Sequence, residues 1–350
     1  MRLSKDPKVG IIILNFNGLK DTDACIKSLL ETKYSNFRLF LVDNASQDGS
    51  VEYVTQHHPQ VQIIQNKENL GPAEGYNAGL RFLNNEYKYV VLVNNDMAFD
   101  PQWLSEMVKV AENDPSIGAC QPKILQLSNP KMFEYNGACG GFLDAYGYPW
   151  LRGRIMEYIE EDRGQYDNIE EIFWVGGCSF FIRKEVLDKT GLFDDMFFIQ
   201  FEEIDLCWRI HLCGYRVFSV PSSVVYHKGT QDRKNERVWM LKHRNNILMI
   251  IKNYSFSNLS RNLPLRFFLD LCSLTKTGTI PLRAYSWILR NLRKAWKHRL
   301  WVQTIVRSVP DESFSDTMIK QPVPIMCYLK GYRDFRNFQR VCLKWKKEDV

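Results

Sequence analysis

The chain has 350 residues, of which 45% are hydrophobic and 13% aromatic, enough for one large domain or two smaller ones with a packed core. Its net charge of +6 combines an acidic part, residues 1–232 with a balance of −10, and a basic part, residues 233–350 with a balance of +16. The asymmetry predicts two regions, 1–232 and 233–350, that meet different partners. Nine scattered cysteines without a CxxC pair, and a start without a leader-like pattern, argue against a disulfide-rich secreted protein.

Four short apolar runs have the pattern of buried strands, and helix-like stretches separate them. The runs cover residues 9–15, 37–42, 61–65 and 89–93. Strands that alternate with helices imply right-handed crossovers and a parallel sheet. The fold class is therefore α/β, with a mostly parallel sheet flanked by helices.

Polar residues follow three of these strands. They are Asn15 and Asn17, then Asp43, then Asn94, Asn95 and Asp96. Ligands bind beyond the carboxyl ends of strands in open α/β sheets, and a carboxylate there is a ligand for a divalent cation. Turn chemistry alone is the competing explanation, since Asn and Asp are common turn residues. Three such ends in one sheet favour a binding site.

The middle of the chain gives weaker patterns. A short strand is predicted at 118–122, irregular or hairpin-like structure at 133–154, and a strand at 173–182 that contains Gly176 and Gly177. Glycine weakens a strand, so its presence there indicates close approach of a ligand or another backbone.

An acidic cluster opens the helix predicted at 202–212. Glu202, Glu203 and Asp205 either complement the helix dipole or place a general base beside a cleft. His227 follows the strand predicted at 215–220, as a metal ligand or as an ordinary loop histidine.

Taken together, the segments resemble the family 2 glycosyltransferases of the GT-A fold, in particular the rhamnosyltransferase-like branch of bacteria. The matching segments cover about residues 8–230 and are VGIIILNFNG, FLVDNASQDGS, NLGPAEGYNAGL, VVLVNNDMAFD, GGCSFFIRKEVLDKTGLFDDMFF, FEEIDLCWR and VYHKG. The resemblance implies an inverting transfer of a sugar, with rhamnose a candidate, from a nucleoside-diphosphate donor. The acceptor would be a hydroxyl of a cell-surface polysaccharide or a lipid-linked glycan precursor.

The resemblance also implies roles for single residues. Donor and nucleotide contacts fall on Asn15, Asn17, Asp43, Asn69, Asn77, Asn94 and Asn95. Asp96 and His227 would hold a divalent cation, Mg²⁺ or Mn²⁺, and Glu203 would be the catalytic base, with Glu202 as the alternative.

Two departures from the family pattern keep other functions open. Asn94 replaces the first carboxylate of the usual DxD motif, and Glu202-Glu203 replaces the usual Glu-Asp pair. A degenerate glycan- or lipid-binding accessory protein is one alternative, and a sugar nucleotidyltransferase is another. The second would need a glycine- and Arg/Lys-rich phosphate loop after the first strand, where this chain has Asn15-Phe16-Asn17-Gly18.

The basic region 233–350 is expected to be a helical extension of the catalytic domain. In the helix predicted at 281–301, apolar side chains recur at helical spacing among basic ones, namely Leu289, Leu292, Trp296 and Leu300. Such a helix either packs on the domain or lies on an anionic membrane surface. We expect no nucleic-acid partner, because the acidic part would repel one. No stretch approaches the roughly 20 apolar residues of a spanning helix, so the expected location is cytoplasmic, with peripheral attachment to the inner face of the cell membrane as an option.

Overall fold

The computed structural model describes residues 6–229 and 235–340. A nine-stranded sheet forms its centre, and a five-stranded sheet lies beside it. The strands of the large sheet are β1 (Val9–Asn15), β2 (Phe37–Asp43), β3 (Gln62–Gln65), β4 (Tyr89–Asn94), β5 (Met97–Phe99), β6 (Ile117–Gln126), β11 (Glu170–Glu171), β12 (Ser179–Arg183) and β13 (Arg216–His227). The small sheet contains β7 (Gly141–Asp144), β8 (Pro149–Leu151), β9 (Arg154–Ile155), β10 (Tyr158–Ile159) and β14 (Met318–Ile319).

The helices divide between the two regions of the chain. Those before residue 230 are α1 (Leu19–Leu30), α2 (Ser50–His57), α3 (Gly71–Phe82), α4 (Trp103–Asn113), α5 (Lys184–Thr190) and α6 (Glu202–Leu212). Those after it are α7 (Glu236–Asn253), α8 (Phe256–Thr277), α9 (Ile280–Arg290), α10 (Leu292–Trp301) and α11 (Val323–Tyr328). A π-helical turn covers Val302–Val306, and a 3-10 helix covers Asp311–Thr317. No helix in the described part of the chain is both long and apolar enough to cross a bilayer.

The large sheet is mostly parallel, as predicted. Its order is β11-β13-β6-β12-β4-β1-β2-β3, with β5 paired to β13. Strands β1 to β4 pair in parallel, whereas β12 lies antiparallel between β4 and β6. The carboxyl ends of β1, β2 and β4 therefore meet at one edge.

Helices cover both faces of this sheet, which explains why the strands are apolar throughout. Side chains alternate across a strand. Ile12 and Leu92 accordingly enter one hydrophobic cluster, and Ile13 and Val93 enter the other. A strand buried on both faces has no polar alternation, which is the pattern in the sequence.

Several sequence predictions differ from the structure in extent. The strand predicted at 118–122 is the ten-residue β6, and only Ser179–Arg183 of the predicted 173–182 strand is regular. Close approach does explain Gly176, since a Cβ there would lie 2.9 Å from the Cα of Gly137. His227 ends strand β13 and does not lie in a loop. The helix predicted at 281–301 is two helices, which meet at Asn291.

The basic region packs directly on the acidic part of the chain. Leu248 and Met249 of α7 belong to the same buried cluster as Trp208 of α6. Across this contact, Lys252 Nζ lies 3.0 Å from Asp205 Oδ1, and both side chains are buried. The boundary at residue 232 thus divides an acidic from a basic part of the sequence, whereas the hydrophobic core includes residues from both parts.

Candidate active site

Asn15 and Asp43 end neighbouring parallel strands and lie side by side in register. Asn15 Nδ2 donates to Asp43 Oδ1 at 2.9 Å and to Ser46 Oγ at 3.1 Å. The second oxygen of Asp43 accepts the backbone N–H of Ser46 at 2.9 Å. Both Asn15 and Asp43 are buried. The carboxylate of Asp43 is thereby held rigidly at the edge of the sheet.

The amide of Asn15 also connects this pair to the end of β4. Its Oδ1 accepts from Asn95 Nδ2 at 2.9 Å and from Thr22 Oγ1 at 2.9 Å. The three strand ends that the sequence marked as polar thus converge on one hydrogen-bonded cluster. Turn chemistry at three separate places would not produce this convergence.

The other predicted donor residues occupy different positions. Exposed Asn17 accepts the N–H of Gln47 at 2.7 Å, and Asn69 accepts the N–H of Gly71 at 2.9 Å. Asn94 Oδ1 accepts from the Tyr76 hydroxyl at 3.0 Å. Asn77 is buried and uses its amide on the backbone of Phe193, donating to the carbonyl at 2.9 Å and accepting from the N–H at 3.0 Å. Asn77 therefore joins α3 to the loop that follows α5, away from the cluster around Asn15.

His227 lies between two carboxylates. Its Nε2 is 3.1 Å from Asp96 Oδ1, and its Nδ1 is 3.3 Å from Glu134 Oε1. The other oxygen of Glu134 accepts the N–H groups of Asn136 at 2.6 Å and Gly137 at 3.1 Å. Both His227 and Glu134 are buried. Glu134 is thus fixed by the backbone and presents one oxygen to the imidazole.

Mutual contact shifts the pKa values of this group. Burial disfavours the charged form of His227, yet Cys178, Asp96 and Glu134 raise the pKa of the imidazole above its ordinary value. Burial also disfavours ionised Asp96, but the hydrogen bond and charge of His227 lower the pKa of that carboxyl below its ordinary value.

Glu202 and Glu203 begin helix α6, as predicted. Glu202 is buried and Glu203 is half-buried, and one oxygen of each carboxyl has no hydrogen-bond partner among the described residues. Burial, together with the charge of Glu203, raises the pKa of Glu202 well above its ordinary value. Burial likewise raises the pKa of Glu203, to about 7, against the backbone N–H groups at the helix start and the charge of Lys242. A carboxyl with this pKa is suited to general acid–base chemistry near neutral pH.

The third acid of this cluster, Asp205, has a structural role. Its carboxylate is fully buried and receives hydrogen bonds from Arg209 at 3.1 Å, Lys252 at 3.0 Å and Asn253 at 2.8 Å. Paired and saturated in this way, it is unavailable to a substrate.

Two consecutive residues connect the acidic pair to the His227 group. A Cβ on Gly177 would lie 3.7 Å from Cγ and Cδ of Glu203, so the Glu203 side chain packs over that backbone. The next residue, Cys178, brings its Sγ within 4.8 Å of the ligand atoms of Glu134 and His227. Its carbonyl accepts the N–H of Asn94 at 3.1 Å. Gly177 and Cys178 therefore link the Glu203 side chain to the Asp96–His227 pair through two consecutive residues.

Helix α7 holds the segment that leads into Glu202. We call residues 197–201 the base loop; it contains three residues with positive φ, Phe198, Gln200 and Phe201. Asn245 Nδ2 donates to the carbonyls of Phe197, Ile199 and Gln200 at 2.7–2.9 Å. Such backbone conformations cost about 1–3 kcal/mol each and persist when neighbouring structure enforces them. Asn245 provides that enforcement.

A comparison with protein families identifies the chain's relatives. The model of "Glycosyl transferase family 2" matches residues 10–191, just over half of the chain. The chain belongs to this family. The matched segment contains Asp43 and Asp96, whereas Glu202, Glu203 and His227 follow it.

Individual relatives agree with this membership. The N-acetylglucosaminyl-diphospho-decaprenol L-rhamnosyltransferase of Mycobacterium tuberculosis is 23% identical, over 75% of this chain and 87% of its own length. The structure of GalNAc-T7 with UDP, GalNAc and Mn²⁺ superposes with a TM-score of 0.60 at 14% identity, over 85% of this chain and 56% of that one. The mannosyltransferase PcManGT of Pyrobaculum calidifontis, in complex with GDP-Man and Mn²⁺, gives a TM-score of 0.52 at 15% identity, over 86% of each chain. These likenesses establish the GT-A fold.

The residues of this glycosyltransferase fit a divalent cation. Asp96 Oδ1 and His227 Nε2 are 3.1 Å apart, and two ligand atoms of an octahedral site are separated by about 3 Å when each lies about 2.1 Å from the ion. Glu134 faces the other ring nitrogen, which is the usual arrangement around a metal-binding histidine. Mg²⁺ and Mn²⁺ prefer carboxylate oxygen to sulfur, so Asp96 suits them better than Cys178.

Sequence reasoning missed Glu134 and Tyr76. Glu134 lies in a glycine- and tyrosine-rich stretch without periodicity, and only the pairing of β6 with β13 brings it to His227. Tyr76 is buried in α3, where its pKa is raised by burial and further by the charges of Cys178, Glu202 and Asp96. Its apolar helix position gave no signal of a hydroxyl facing Asn94.

Proposed function

We propose that the chain is an inverting, metal-dependent glycosyltransferase that moves a sugar from a nucleoside diphosphate to a glycan hydroxyl. The observation that carries this proposal is the carboxyl of Glu203. One of its oxygens has no partner within residues 6–229 and 235–340, its pKa is about 7, and it packs on Gly177 beside the Asp96–His227 group. A base next to a cation site suits sugar transfer from a diphosphate.

The donor would lie along the carboxyl ends of β1, β2 and β4. Asp43, which is fixed by Asn15 and Ser46, would accept hydrogen bonds from the nucleoside. Asp96 and His227 would hold the cation, which when bound neutralises charge that develops on the diphosphate as it leaves. Asn17 and Asn69 lie on segments that border the same edge and can contact the nucleotide or the sugar.

Glu203 would act on the acceptor. The hydroxyl group of the acceptor donates a hydrogen bond to the free carboxylate oxygen of Glu203. The proton moves to Glu203 as the hydroxyl oxygen bonds to the anomeric carbon. The bond from this carbon to the diphosphate oxygen breaks on the opposite face, and one displacement inverts the configuration. Glu202, whose pKa is raised further, stays protonated and keeps a second negative charge away from Glu203.

For the acceptor, we propose a cell-envelope polysaccharide or a lipid-linked glycan precursor. The support is the resemblance in sequence to the Mycobacterium tuberculosis enzyme, whose name specifies an N-acetylglucosaminyl-diphospho-decaprenol acceptor and rhamnose as the sugar. Rhamnose is accordingly the first donor sugar to test.

The test is thermal stabilisation by a panel of nucleoside diphosphates and nucleotide sugars, with and without Mg²⁺ or Mn²⁺. A ligand at 100 times its dissociation constant stabilises a protein by about 2.7 kcal/mol. We expect one nucleotide to stabilise the chain in a metal-dependent way, and Asp96→Ala to lose this response. Asp188→Ala, an exposed carboxylate on α5, is the matched control.

Product analysis then separates the candidate functions. Release of the nucleoside diphosphate with transfer of the sugar supports the transferase. Stabilisation by glycan alone, with no turnover of any donor, would indicate the accessory protein that Asn94 leaves open. Pyrophosphate release from a sugar phosphate and a nucleoside triphosphate would indicate the nucleotidyltransferase.

A further inference from the structure

Helix α8 buries charged side chains and exposes apolar ones, the reverse of an ordinary surface helix. Apart from Leu259, its buried side chains are Arg266 and Asp270, which are 2% and 1% exposed and whose Nε and Oδ2 lie 3.0 Å apart. Its exposed large apolar side chains are Phe256, Leu265, Phe267, Phe268 and Leu271. Surface helices of globular proteins normally turn their apolar stripe toward the core. Helix α8 presents that stripe to its surroundings.

The polar side of α8 is fully integrated into the fold. Arg266 also donates to the carbonyl of Tyr146 at 2.7 Å and to the side chain of Asn246. The Tyr285 hydroxyl donates to Asp270 at 2.9 Å. Since buried charges are tolerated only when they are paired and hydrogen-bonded, these contacts fix the orientation of the helix. The outward apolar side is therefore a stable feature of the fold.

Helices α9 and α10 carry further exposed apolar side chains. The rings of Phe267 and Tyr285 meet edge to face at a centroid distance of 5.1 Å, which joins α8 to α9. The residues that the sequence placed on one helix face are all exposed, although the helix breaks at Asn291. They are Leu289, Leu292, Trp296 and Leu300, at 69%, 45%, 46% and 50%.

Two grooves lie on these helices, and their chemistry differs. One, of about 450 Å³, is lined by apolar side chains of α8 with Tyr285. The other, of about 590 Å³, is lined by four basic side chains together with Trp296 and Leu300. The basic side chains are Arg290, Arg293, Lys294 and Lys297. An apolar groove together with a basic and aromatic one matches a molecule with an acyl chain and an anionic head.

The charge of the segment favours an anionic occupant. Residues 256–308 contain ten lysines and arginines but a single acidic residue, Asp270, which is buried. A second copy of the chain in a two-fold symmetric dimer would bring the same positive charge to this surface and repel it. A nucleic acid would match the charge and leave the exposed phenylalanines and leucines uncovered.

We propose that the exposed apolar and basic side chains of α8, α9 and α10, here named the docking face, bind the surface of an anionic phospholipid bilayer. The apolar side chains enter the boundary between headgroups and acyl chains, and the basic side chains contact lipid phosphates. This binding is argued from the surface alone and does not depend on the proposed transfer reaction.

The docking face is directly connected to the base loop. Lys294 of α10 pairs with Asp195 at 2.8 Å, and His298 pairs with Asp194 at 2.7 Å, immediately before that loop. A bilayer bound to α10 would therefore lie close to the segment that positions Glu203. If the proposed function holds, this places a lipid-linked acceptor beside the base.

The experiment is co-sedimentation of the full-length chain with phosphatidylcholine vesicles and with vesicles that also contain phosphatidylglycerol. We expect binding to the anionic vesicles only, weakened by salt. Arg290→Glu with Lys297→Glu should reduce binding by more than about tenfold, since each basic residue near an anionic surface contributes appreciably. The double variant Phe268→Ser with Leu289→Ser should also reduce binding. Its binding should stay weak even at low salt, where electrostatic attraction is strongest.

Matched controls lie on the acidic part of the chain. Phe82→Ser changes an apolar side chain of 50% exposure, and Lys67→Glu reverses an exposed charge. Both should bind vesicles like the unmodified chain, and circular dichroism melting should show that all variants fold. Equal binding by control and docking-face variants, or no vesicle binding at all, would overturn the proposal. The proposal would also be overturned if the unmodified chain formed a dimer that the Phe268/Leu289 variant did not form, or if the chain bound RNA in preference to anionic vesicles.

Discussion

Glu134 faces the imidazole Nδ1 of His227 at 3.3 Å, while the Nε2 of the same ring faces Asp96. A carboxylate in this position favours the proton on Nδ1 and leaves the Nε2 lone pair for a cation. Without a cation, the raised pKa of His227 favours a proton on both ring nitrogens. A cation that replaced the Nε2 proton would leave the Nδ1 proton facing Glu134, which two backbone N–H groups fix.

Glu134→Gln should weaken cation binding. The Gln oxygen can keep the bonds to Asn136 and Gly137, and its NH₂ group would then face Nδ1 and shift the ring proton to Nε2. We expect Mn²⁺ affinity to fall about 10–100-fold, the usual effect of losing such a partner. Calorimetric titration in the presence of the stabilising nucleotide measures it. Glu157→Gln, at an exposed position, is the control, and an unchanged affinity in Glu134→Gln would refute this role.

Glu203→Gln should abolish transfer and spare donor binding. General base catalysis contributes about 10²–10⁴-fold, so kcat should fall by that amount while nucleotide stabilisation persists. Glu202→Gln should have the smaller effect, because that carboxyl is already protonated near neutral pH. Near-normal turnover in Glu203→Gln would exclude it as the base.

The pH dependence of the reaction should report Glu203. Its pKa of about 7 means that the basic form is lost as the pH falls. We expect kcat/KM to rise with pH through about 7 and then to level off, with Lys242 as the charge that lowers the midpoint. The rate profile measured with saturating cation tests this, and a flat profile between pH 5 and pH 8 would contradict it.

The raised pKa of Glu203 should also affect the stability of the fold, which it favours at low pH, whereas the reaction is favoured at high pH. A carboxyl whose pKa is raised in the folded chain favours folding while it is protonated, and that contribution is lost as the pH rises through about 7. Each unit of pKa difference corresponds to about 1.4 kcal/mol. Glu203→Gln, which stays neutral, should therefore melt a few degrees above the unmodified chain at pH 8 and close to it at pH 5. A lower melting temperature at pH 8 would mean that the carboxylate is stabilised in the fold.

Asn245→Ala should loosen the base loop. It removes three hydrogen bonds to carbonyls of residues 197–200, and each is worth about 1 kcal/mol. We expect a loss of about 2–4 kcal/mol in unfolding free energy and a lower kcat, with nucleotide affinity unchanged. Asn258→Ala, on α8, is a comparison that leaves the base loop intact. Loss of nucleotide affinity in Asn245→Ala would point to a general unfolding effect.

The strand ends and the start of α6 could be predicted because they depend on local sequence. An apolar run that stops at Asp43 or Asn95 specifies its own geometry, and a parallel sheet then brings the ends together. His227 was harder, since its place at the end of β13 depends on pairing with β5 and β6.

Features that depend on distant partners could not be predicted. Helix α8 has apolar residues at helical spacing, which normally indicates a core-facing stripe. Its orientation depends on Tyr146, Asn246 and Tyr285, which lie elsewhere in the chain and form hydrogen bonds with Arg266 and Asp270. The position of Glu134 next to His227 is hidden for the same reason.

The contact between Lys252 and Asp205 has a practical consequence for anyone who shortens this chain. Ending it after residue 232 would discard Lys252 and Asn253, two of the three residues that donate hydrogen bonds to the Asp205 carboxylate. Removing one partner from a buried ion pair typically destabilises a protein by about 3–5 kcal/mol. Hybrid enzymes that exchange acceptor regions between relatives should therefore be joined beyond the end of α7, so that each donor-binding half keeps its own counter-charges.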